Sequence, residues 1–385
     1  MWPNYSKQEA NKVKEILLSN KVNYWTGQEC KKFEEEFAKW SDCKFAISLS
    51  NGSVALELAL KSLDLKPSDE VIVTPRSFIA SVTCVLNAGA KPIFSDIDFQ
   101  SGNLNAELIS EKITSNTKAI ICVHIGGIPC DMDPIMKLAK KNNLIVIEDA
   151  SQAHGAKYNG KSVGSIGDIG TWSFCQDKII TTGGEGGMIT TNNKNIWKKI
   201  WSMKDHGKNY DLVSKKPNKP GFRWLHSNLG SNFRMTEMQA AIGRIQLTKM
   251  TKWTNQRLRN AKILLKELNE FQDILSIPIT PENSVNAYYR LYAFLKIEKL
   301  KKGWNREKLI EELNKKGTQC FTGSCSEIYL EKIFKKHPSK PKKRLNNSKK
   351  IGDSSICFLV DPGIKNKEIK KDAANIKNVL RNLVS

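Results

Sequence analysis

The sequence lacks the features that would place it in a membrane, secreted or disordered class. No apolar run approaches the ~20 residues of a membrane-spanning helix. The first residues, MWPNYSK, contain no apolar core of the kind that a secretory signal peptide needs. Nothing in the composition indicates disorder apart from short charged runs. We therefore expect a soluble, cytoplasmic protein with no membrane partner, long enough at 385 residues for one large domain and a smaller one.

Metal-binding and disulfide patterns are also missing. The nine cysteines include no CxxC pair, and the five histidines are scattered along the chain. Zinc sites and disulfide frameworks normally show regular spacings of these residues, so the sequence predicts no metal site. Several cysteines lie inside apolar runs, as Cys122 does within residues 120–123, and we expect buried, reduced thiols.

Acidic residues are scarce relative to basic ones, with 39 of the first kind against 61 of the second and a formal net charge of +22. The excess lysine is spread along the chain and is densest between residues 332 and 350. Because no aromatic-interleaved basic motif or recognition-helix pattern accompanies it, we interpret it as a solvated surface and predict no nucleic-acid partner. A positive field would still favour an anionic substrate, such as a nucleotide-linked molecule.

Short apolar strands alternate with helices from residue 45 onwards. The predicted strands are 45–49, 70–74, 92–95, 119–124, 144–147, 288–297 and 356–360, and the predicted helices are 6–20, 29–40, 54–63, 78–88, 135–140, 235–268, 306–315 and 367–383. Continuous apolar strands between helices are typical of a parallel or mixed sheet that is covered on both faces. We predict a large α/β domain over residues 1–255, N-terminal helices included, and a small C-terminal α+β domain over residues 256–385.

One lysine stands out in the stretch 171–192, TWSFCQDKIITTGGEGGMITTN. Lys178 lies between two short apolar runs, and four of the five residues 183–187 are glycine, which indicates a tight backbone rather than a flexible linker. Most lysines of so basic a chain are solvated surface groups. A partly desolvated lysine on a rigid turn, however, can act as a nucleophile and form a Schiff base.

Polar residues follow other predicted strands, where ligands of open α/β sheets bind. Gly52 and Ser53 follow the first strand and open a helix, and the start of a helix can bind phosphate. Taken alone, these residues favour a plain helix cap over a phosphate site. Asp149 ends another strand, where it could cap the next turn or pair with a pyridine nitrogen, and Gln152 could touch the same ring. His154 is ambiguous: the pattern slightly favours a hydrogen-bonded structural histidine over a catalytic one.

Two further residues complete a set. Ser173, five positions before Lys178, could bind phosphate, and Phe78 could stack on a flat ring, although an aromatic at the start of a helix is more often part of a core. A Schiff-base lysine, an acid for a pyridinium nitrogen, a stacking aromatic and two phosphate hydroxyls are together what pyridoxal 5′-phosphate (PLP) requires. The sequence therefore predicts a PLP site.

Seven blocks of the sequence, taken in order, resemble one family, the DegT/DnrJ/EryC1/StrS aminotransferases. The blocks are SNGSVAL at 50–56, VTPRSFIAS at 73–81, GAKPIFSDID at 89–98, VHIGGIPCDMD at 123–133, VIEDASQAHGA at 146–156, SFCQDKIITTGGEGG at 173–187 and SNFRMTEMQAAIGRIQL at 231–247. The resemblance is strong over roughly residues 20–250 and loose beyond them. It implies the fold of the fold-type I PLP-dependent transferases: a mixed, mostly parallel seven-stranded sheet between helices, plus a smaller C-terminal α+β domain.

The resemblance also implies an activity and assigns roles to residues. The family's enzymes move an amino group from an amino acid, here expected to be L-glutamate, to a keto sugar, expected to be nucleotide-linked, in amino-sugar or cell-surface polysaccharide biosynthesis. By the same resemblance, Lys178 is the catalytic Schiff-base lysine and Asp149 the partner of the pyridine nitrogen. Gln152 contacts the ring, and Phe78 stacks on it.

The remaining positions concern the cofactor phosphate and a second subunit. The resemblance assigns Gly52, Ser53 and Ser173 to the phosphate, with Ser53 standing where threonine is usual in the family. Asn232 matches an asparagine that reaches the phosphate of the neighbouring subunit, which implies a homodimer with shared active sites.

Alternative functions stay open at this point. The family includes dehydratases with histidine in place of the lysine, so Lys178 favours transamination, but a lysine-retaining sugar dehydratase or an aminotransferase for another small carbonyl compound would carry the same residues. A non-catalytic regulatory or polyanion-binding scaffold is a further alternative, against which Lys178, Asp149 and Gln152 argue. Residues of loops that could contact the substrate are Tyr24, Trp25, Thr26, His206, His226 and Tyr329.

Overall fold

The computed structural model describes residues 2–215 and 221–384. Its strands are β1 (Phe45–Leu49), β2 (Glu70–Val73), β3 (Lys91–Phe94), β4 (Thr117–Val123), β5 (Ile145–Asp149), β6 (Lys157–Tyr158), β7 (Lys161–Ser162), β8 (Ile169–Ser173), β9 (Gly187–Thr191), β10 (Leu275–Ser276), β11 (Ser284–Val285), β12 (Leu291–Leu295), β13 (Cys320–Phe321) and β14 (Ser355–Phe358). Its α-helices are α1 (Lys7–Leu18), α2 (Glu29–Trp40), α3 (Gly52–Lys61), α4 (Ala80–Asn87), α5 (Ala106–Ser110), α6 (Met132–Lys141), α7 (Lys194–Lys204), α8 (Tyr210–Ser214), α9 (Glu237–Leu268), α10 (Arg306–Lys315), α11 (Asn346–Ser354) and α12 (Asn366–Arg381). None of the helices in these two ranges is long and apolar enough to cross a membrane.

The central element is a seven-stranded sheet with the order β1-β9-β8-β5-β4-β2-β3. β9 is antiparallel to both of its neighbours, and the other pairs are parallel. The predicted mixed, mostly parallel sheet of seven strands is therefore confirmed. Because six strands run the same way, their carboxyl ends meet at one edge, where the predicted loops lie.

Both faces of this sheet are buried, as the continuous apolar strands predict. Val71 and Val73 belong to one hydrophobic cluster, whereas Ile72, between them, belongs to another on the opposite face. Successive strand residues point to opposite faces, so a strand with helices on both sides must be apolar throughout.

A third hydrophobic cluster lies beneath the turn that carries Lys178. Phe33 and Phe37 lie four residues apart on one face of α2, and both rings pack within 5.5 Å of the ring of Phe174. α2 has the predicted bounds, since its apolar residues follow the helical period over its whole length. This packing holds Phe174 in place, and with it the backbone that leads to Lys178.

The C-terminal part forms its own antiparallel sheet, with the order β10-β12-β14-β13. α10, α12 and the end of α9 cover it and share a separate core. The predicted border between residues 255 and 256 falls inside α9, a single helix of 32 residues that begins beside α2 and ends beside α12. The division into domains at that point stays a prediction.

One predicted strand, 288–297, is too long at both ends. β12 covers only Leu291–Leu295, because Tyr288 has a positive φ of 48° and the chain bends there. The backbone N–H groups of Ala287 and Arg290 donate instead to the carbonyl oxygens of Gly127 and Gly126. The apolar residues before β12 thus connect the C-terminal sheet to the large one.

The thiols are all free, as expected, but not all of them are buried. Six of the nine cysteines are buried, Cys43 and Cys175 are half-buried, and Cys325 is exposed. Cys175 and Cys325 lie at the wall of a cavity, where polar surroundings replace the apolar packing that the sequence suggested.

Candidate active site

A cavity of about 1220 Å³ lies between the carboxyl edge of the large sheet and the C-terminal sheet. Seven of the eight residues that the sequence predicts for the site line it: Gly52, Ser53, Phe78, Asp149, Gln152, Ser173 and Lys178. They come from four separate loops, so the strand order is what brings them together. The opposite wall includes Tyr289, Arg290 and Phe321 from the C-terminal part.

Asp149 ends β5 and is almost fully buried, with 4% of its surface exposed. The Ser81 hydroxyl donates to Oδ2 at 2.8 Å, and the backbone N–H of Ser151 donates to Oδ1 at 3.2 Å. Ser81 in turn pairs with the hydroxyl of Ser77 at 2.8 Å. The carboxylate thus caps the next turn and also faces the cavity, so the two uses considered for it are compatible.

Gln152 lies one turn after Asp149 and is also buried. Its Oε1 accepts a hydrogen bond from the backbone N–H of Gly126 at 2.8 Å. Because that bond fixes the amide at the cavity wall, the NH₂ group is the free donor of this side chain.

The helix α3 starts at the cavity wall. Asn51 caps it, its Oδ1 accepting from the N–H of Val54 at 2.9 Å, so the cap is Asn51 and Ser53 lies in the first turn. A Cβ at Gly52 would lie 2.6 Å from the Cβ of Ser173, which is closer than carbon atoms approach. Glycine is therefore required for the helix start to sit beside Ser173, and both serines line the same part of the cavity.

The Lys178 side chain is 17% exposed and reaches the carboxylate of Asp177, with Nζ at 3.1 Å from Oδ1 and 3.2 Å from Oδ2. The Tyr289 hydroxyl donates to the same carboxylate at 2.5 Å, and Nζ lies 5.1 Å from the centroid of the tyrosine ring. Burial raises the pKa of Asp177, but the charge of Lys178 and the Tyr289 hydrogen bond outweigh it and hold this pKa below its usual value. The indole N–H of Trp2 donates to the backbone oxygen of Lys178 at 2.8 Å.

Phe78 and Asn232 differ from the other predicted residues. Phe78 is not part of a core, since 69% of its surface is exposed at the cavity wall, where its face is free to stack on a ligand. Asn232 is exposed and does not line the cavity of its own chain. Among the described residues, its Oδ1 accepts a hydrogen bond from the backbone N–H of Arg234 alone, at 3.4 Å.

His154 is structural in position but has no hydrogen bond, contrary to the prediction. It is fully buried between the rings of Trp172 and Phe174, and neither ring nitrogen has a partner among the described residues. Burial, followed by the charges of Lys178 and Arg257, lowers its pKa to about 3. The imidazole is therefore neutral at ordinary pH and packs as an aromatic ring.

Sequence reasoning missed the residues that surround the lysine from outside its own stretch. Trp2, Tyr289 and Arg290 have no local pattern that marks them, because they reach the site through folding alone. Asp177 precedes the lysine directly and could have been noticed. None of the six loop residues proposed for substrate contacts lines the cavity, and Tyr24 and Tyr329 are buried in hydrophobic clusters instead.

The residues at the cavity fit PLP. The cofactor needs an amine for its aldehyde, an acid for its ring nitrogen and a cradle for its phosphate. Lys178 supplies the first and Asp149 the second, and the start of α3 with Ser53 and Ser173 forms a cradle of N–H and O–H donors. The start of α3 can lie this close to Ser173 because Gly52 has no side chain.

Several known proteins are similar to this chain in sequence or in structure. An aminotransferase from Psychrobacter cryohalolentis, solved by X-ray crystallography, superposes with a TM-score of 0.98 and 52% sequence identity over 100% of this chain and 99% of that one. A GDP-perosamine synthase of Escherichia coli O157:H7 is 41% identical over 276 residues, which are 71% of each chain. A GDP-4-keto-6-deoxy-D-mannose-3-dehydratase of E. coli, solved with hydrated PLP bound, superposes with a TM-score of 0.87 and 25% identity over 98% of this chain and 97% of that one.

The model of the DegT/DnrJ/EryC1/StrS aminotransferase family matches residues 3–377, nearly the whole chain. The resemblance of the seven sequence blocks is thereby confirmed, and with it the transferase fold and the cofactor. The chain belongs to the DegT/DnrJ/EryC1/StrS aminotransferase family and is a PLP-dependent aminotransferase.

Proposed function

We propose that this enzyme transfers an amino group from L-glutamate to a nucleotide-linked keto sugar in the cytoplasm, for amino-sugar or cell-surface polysaccharide biosynthesis. The observation that carries the proposal is the meeting of Lys178 and Asp149 at one cavity large enough for a cofactor and a sugar. The relative named GDP-perosamine synthase supports an amino sugar on a nucleotide.

Several residues of the chain would hold the cofactor. When bound, PLP supplies an aldehyde carbon that exchanges amino groups and a ring that accepts an electron pair. Asp149, fixed by Ser81, would keep a proton on the ring nitrogen, which makes the ring a better acceptor. Ser53 and Ser173 would donate to the phosphate, while Phe78 would cover one face of the ring.

Lys178 would move the proton. In the first half-reaction its Nζ would take the proton from the α-carbon of the amino donor and deliver it to the aldehyde carbon of the cofactor. In the second it would take a proton from that carbon and deliver it to the acceptor carbon. Asp177 orients the amine for both steps, since it holds Nζ with both of its oxygens. Lys178→Ala should abolish both half-reactions, and turnover of either by this variant would contradict the mechanism.

The absorption spectrum of the purified enzyme tests the donor and the acceptor in turn. L-Glutamate should bleach the visible band of the bound cofactor, and a nucleotide-linked keto sugar should restore it. A panel of GDP-, UDP- and dTDP-linked keto sugars, with product analysis by mass spectrometry, then distinguishes amination from loss of water. A band that glutamate leaves unchanged would contradict the proposed donor.

The active form would be a homodimer whose sites are shared. Asn232 is exposed outside its own cavity, and the chain before it exposes Phe222, Trp224 and Leu229, an apolar group that a second subunit would cover. In this arrangement Asn232 of each subunit reaches the cofactor phosphate bound to the other.

Mixing two inactive variants tests the shared site. Lys178→Ala and Asn232→Ala each disable every site of their own dimers, but a mixed dimer contains one site with both native residues. Refolding an equal mixture should therefore recover about a quarter of the wild-type activity. No recovery, with mixed dimers shown by mass spectrometry, would place Asn232 and Lys178 in the same subunit's site.

A further inference from the structure

The cavity contains few positive charges. Among the residues that the structure describes, Lys178 and Arg290 are the cations that line it. Lys178 is paired with Asp177 and is already assigned to proton transfer. Arg290 is not among the residues assigned to the cofactor, so its charge requires another explanation.

Arg290 is only weakly neutralised by the protein. Its carboxylate neighbour is Asp361, at 3.8 Å, and Asp361 is already paired with the fully buried Arg257 at 2.9 Å. One guanidinium N–H of Arg290 donates to the backbone oxygen of Tyr289 at 2.9 Å. A guanidinium has five N–H donors, so this partly exposed side chain keeps donors for a ligand.

The position of Arg290 relates it to the reacting amine. Its Cζ lies 4.4 Å from the centroid of the Tyr289 ring, and the Nζ of Lys178 lies 5.1 Å from the same centroid. Both cations therefore flank the same part of the cavity. In an α-amino acid the carboxylate is attached to the carbon that carries the amine, so a donor that reacts at Lys178 brings its carboxylate to this part.

We propose that Arg290 binds the carboxylate of the amino donor. The planar guanidinium matches a carboxylate with two parallel hydrogen bonds, which fixes the orientation of the donor as well as its affinity. The proposal rests on the proposed function, because it assumes an α-amino acid as the donor. Tyr289 connects the two cations, since its ring contacts both and its hydroxyl binds Asp177.

The experiment compares Arg290→Gln and Arg290→Lys with the wild-type holoenzyme in separate half-reactions. In single turnovers with L-glutamate, Arg290→Gln should raise the half-saturating glutamate concentration by roughly 10- to 100-fold, because a hydrogen bond to a charged group is lost. Arg290→Lys should recover part of this loss and serves as the test if Arg290→Gln does not fold. The acceptor half-reaction of the aminated enzyme should keep its rate and half-saturating concentration.

A binding measurement separates recognition from catalysis. α-Methyl-L-glutamate keeps the carboxylate but has no α proton to lose, so its dissociation constant, measured by calorimetry, should rise by a similar factor in Arg290→Gln. Arg259→Gln, which removes an exposed charge outside the cavity, is the matched control and should leave both constants unchanged.

Three results would overturn the proposal: unchanged glutamate constants in Arg290→Gln, a loss confined to the acceptor half-reaction, or equal losses in both. The second would assign Arg290 to a carboxylate or phosphate of the acceptor. If the wild-type enzyme reacted with no α-amino acid of a panel, the proposed function itself would fail, and this inference with it.

Discussion

At the scale of the residue, His154 shows how burial, helped by nearby positive charges, changes the protonation of a side chain. Its imidazole in the unfolded chain takes up a proton near pH 6.5, whereas in the folded protein burial lowers the pKa to about 3. Between these values the unfolded state binds more protons, so stability decreases as the pH falls from about 6.5 towards 3.

His154→Phe should remove this part of the acid sensitivity. The histidine accounts for about 2 kcal/mol of stability lost between pH 7 and pH 5, and phenylalanine keeps the ring between Trp172 and Phe174 without titrating. Urea denaturation of the variant and the wild-type protein at the two pH values measures the effect. An identical pH dependence in His154→Phe and the wild-type protein would contradict the account.

Tyr289 acts on the lysine through Asp177. Its hydrogen bond helps to hold the pKa of Asp177 below the usual value, after burial has raised it and Lys178 has lowered it. Tyr289→Phe should therefore raise the pKa of Asp177 and move the acid limb of the kcat/KM profile to higher pH. Tyr288→Phe, its half-buried neighbour in sequence, is the control, and an acid limb that stays in place would remove Asp177 from the mechanism.

Local sequence identified the residues whose context is local. Asp149 ends an apolar strand and Lys178 sits on a tight turn, so both were marked by their neighbours in the chain. The missing hydrogen bond of His154 could not be foreseen, because it depends on how the surrounding elements pack. The indole contact of Trp2 could not be foreseen either, because Lys178 is more than a hundred positions away in the sequence.

At the scale of the element, the start of α3 depends on one missing side chain. Gly52→Ala would place a Cβ 2.6 Å from the Cβ of Ser173, an atom that cannot rotate away, so the helix must shift. We expect the affinity for PLP to fall by about tenfold or more, since the N–H donors at the helix start lose their alignment.

Gly363→Ala is the matched control, because an added Cβ there meets nothing within 4 Å and its backbone has no positive φ. Equilibrium dialysis of PLP against both variants measures the difference. Equal affinities would show that the start of α3 does not hold the phosphate.

Elements with one continuous pattern were predicted well. α2 and α10 have the predicted bounds, since their apolar residues keep the helical period from end to end. The predicted strand 288–297 is too long, because the chain before β12 contacts the turn at Gly126 and Gly127, and only Leu291–Leu295 join the sheet.

At the scale of the whole molecule, a buried ion pair joins the long helix α9 to the C-terminal part. Arg257 on α9 donates to Asp361 at 2.9 Å and to the backbone oxygen of Tyr288 at 3.1 Å. Arg257→Gln leaves the buried Asp361 without its main partner and should cost about 3 kcal/mol of stability. Arg259→Gln, exposed on the same helix, should change stability by less than about 0.5 kcal/mol.

Urea denaturation of both variants gives the comparison. A loss of similar size in the two variants would show that the buried pair does not stabilise the contact between α9 and the C-terminal part.

The sequence predicted one wall of the cavity and not the other. Parallel strands must place their carboxyl ends together, so strand order alone assigns the residues from Gly52 to Lys178 to one site. Tyr289 and Arg290 belong to a different sheet, and no rule of strand order relates the two sheets. The predicted role of Asn232 involves a second subunit, and strand order within one chain cannot predict a contact between chains either.

The two walls of the cavity are also made at different times. Lys178 and the predicted cofactor ligands before it leave the ribosome first, and at about 5–20 residues per second the segment up to Tyr289 takes roughly 5–20 s more. During synthesis the cofactor wall can therefore fold and meet PLP before the wall that carries Arg290 exists. The part to which the cofactor residues are assigned is thus made before the part that we propose binds the amino donor.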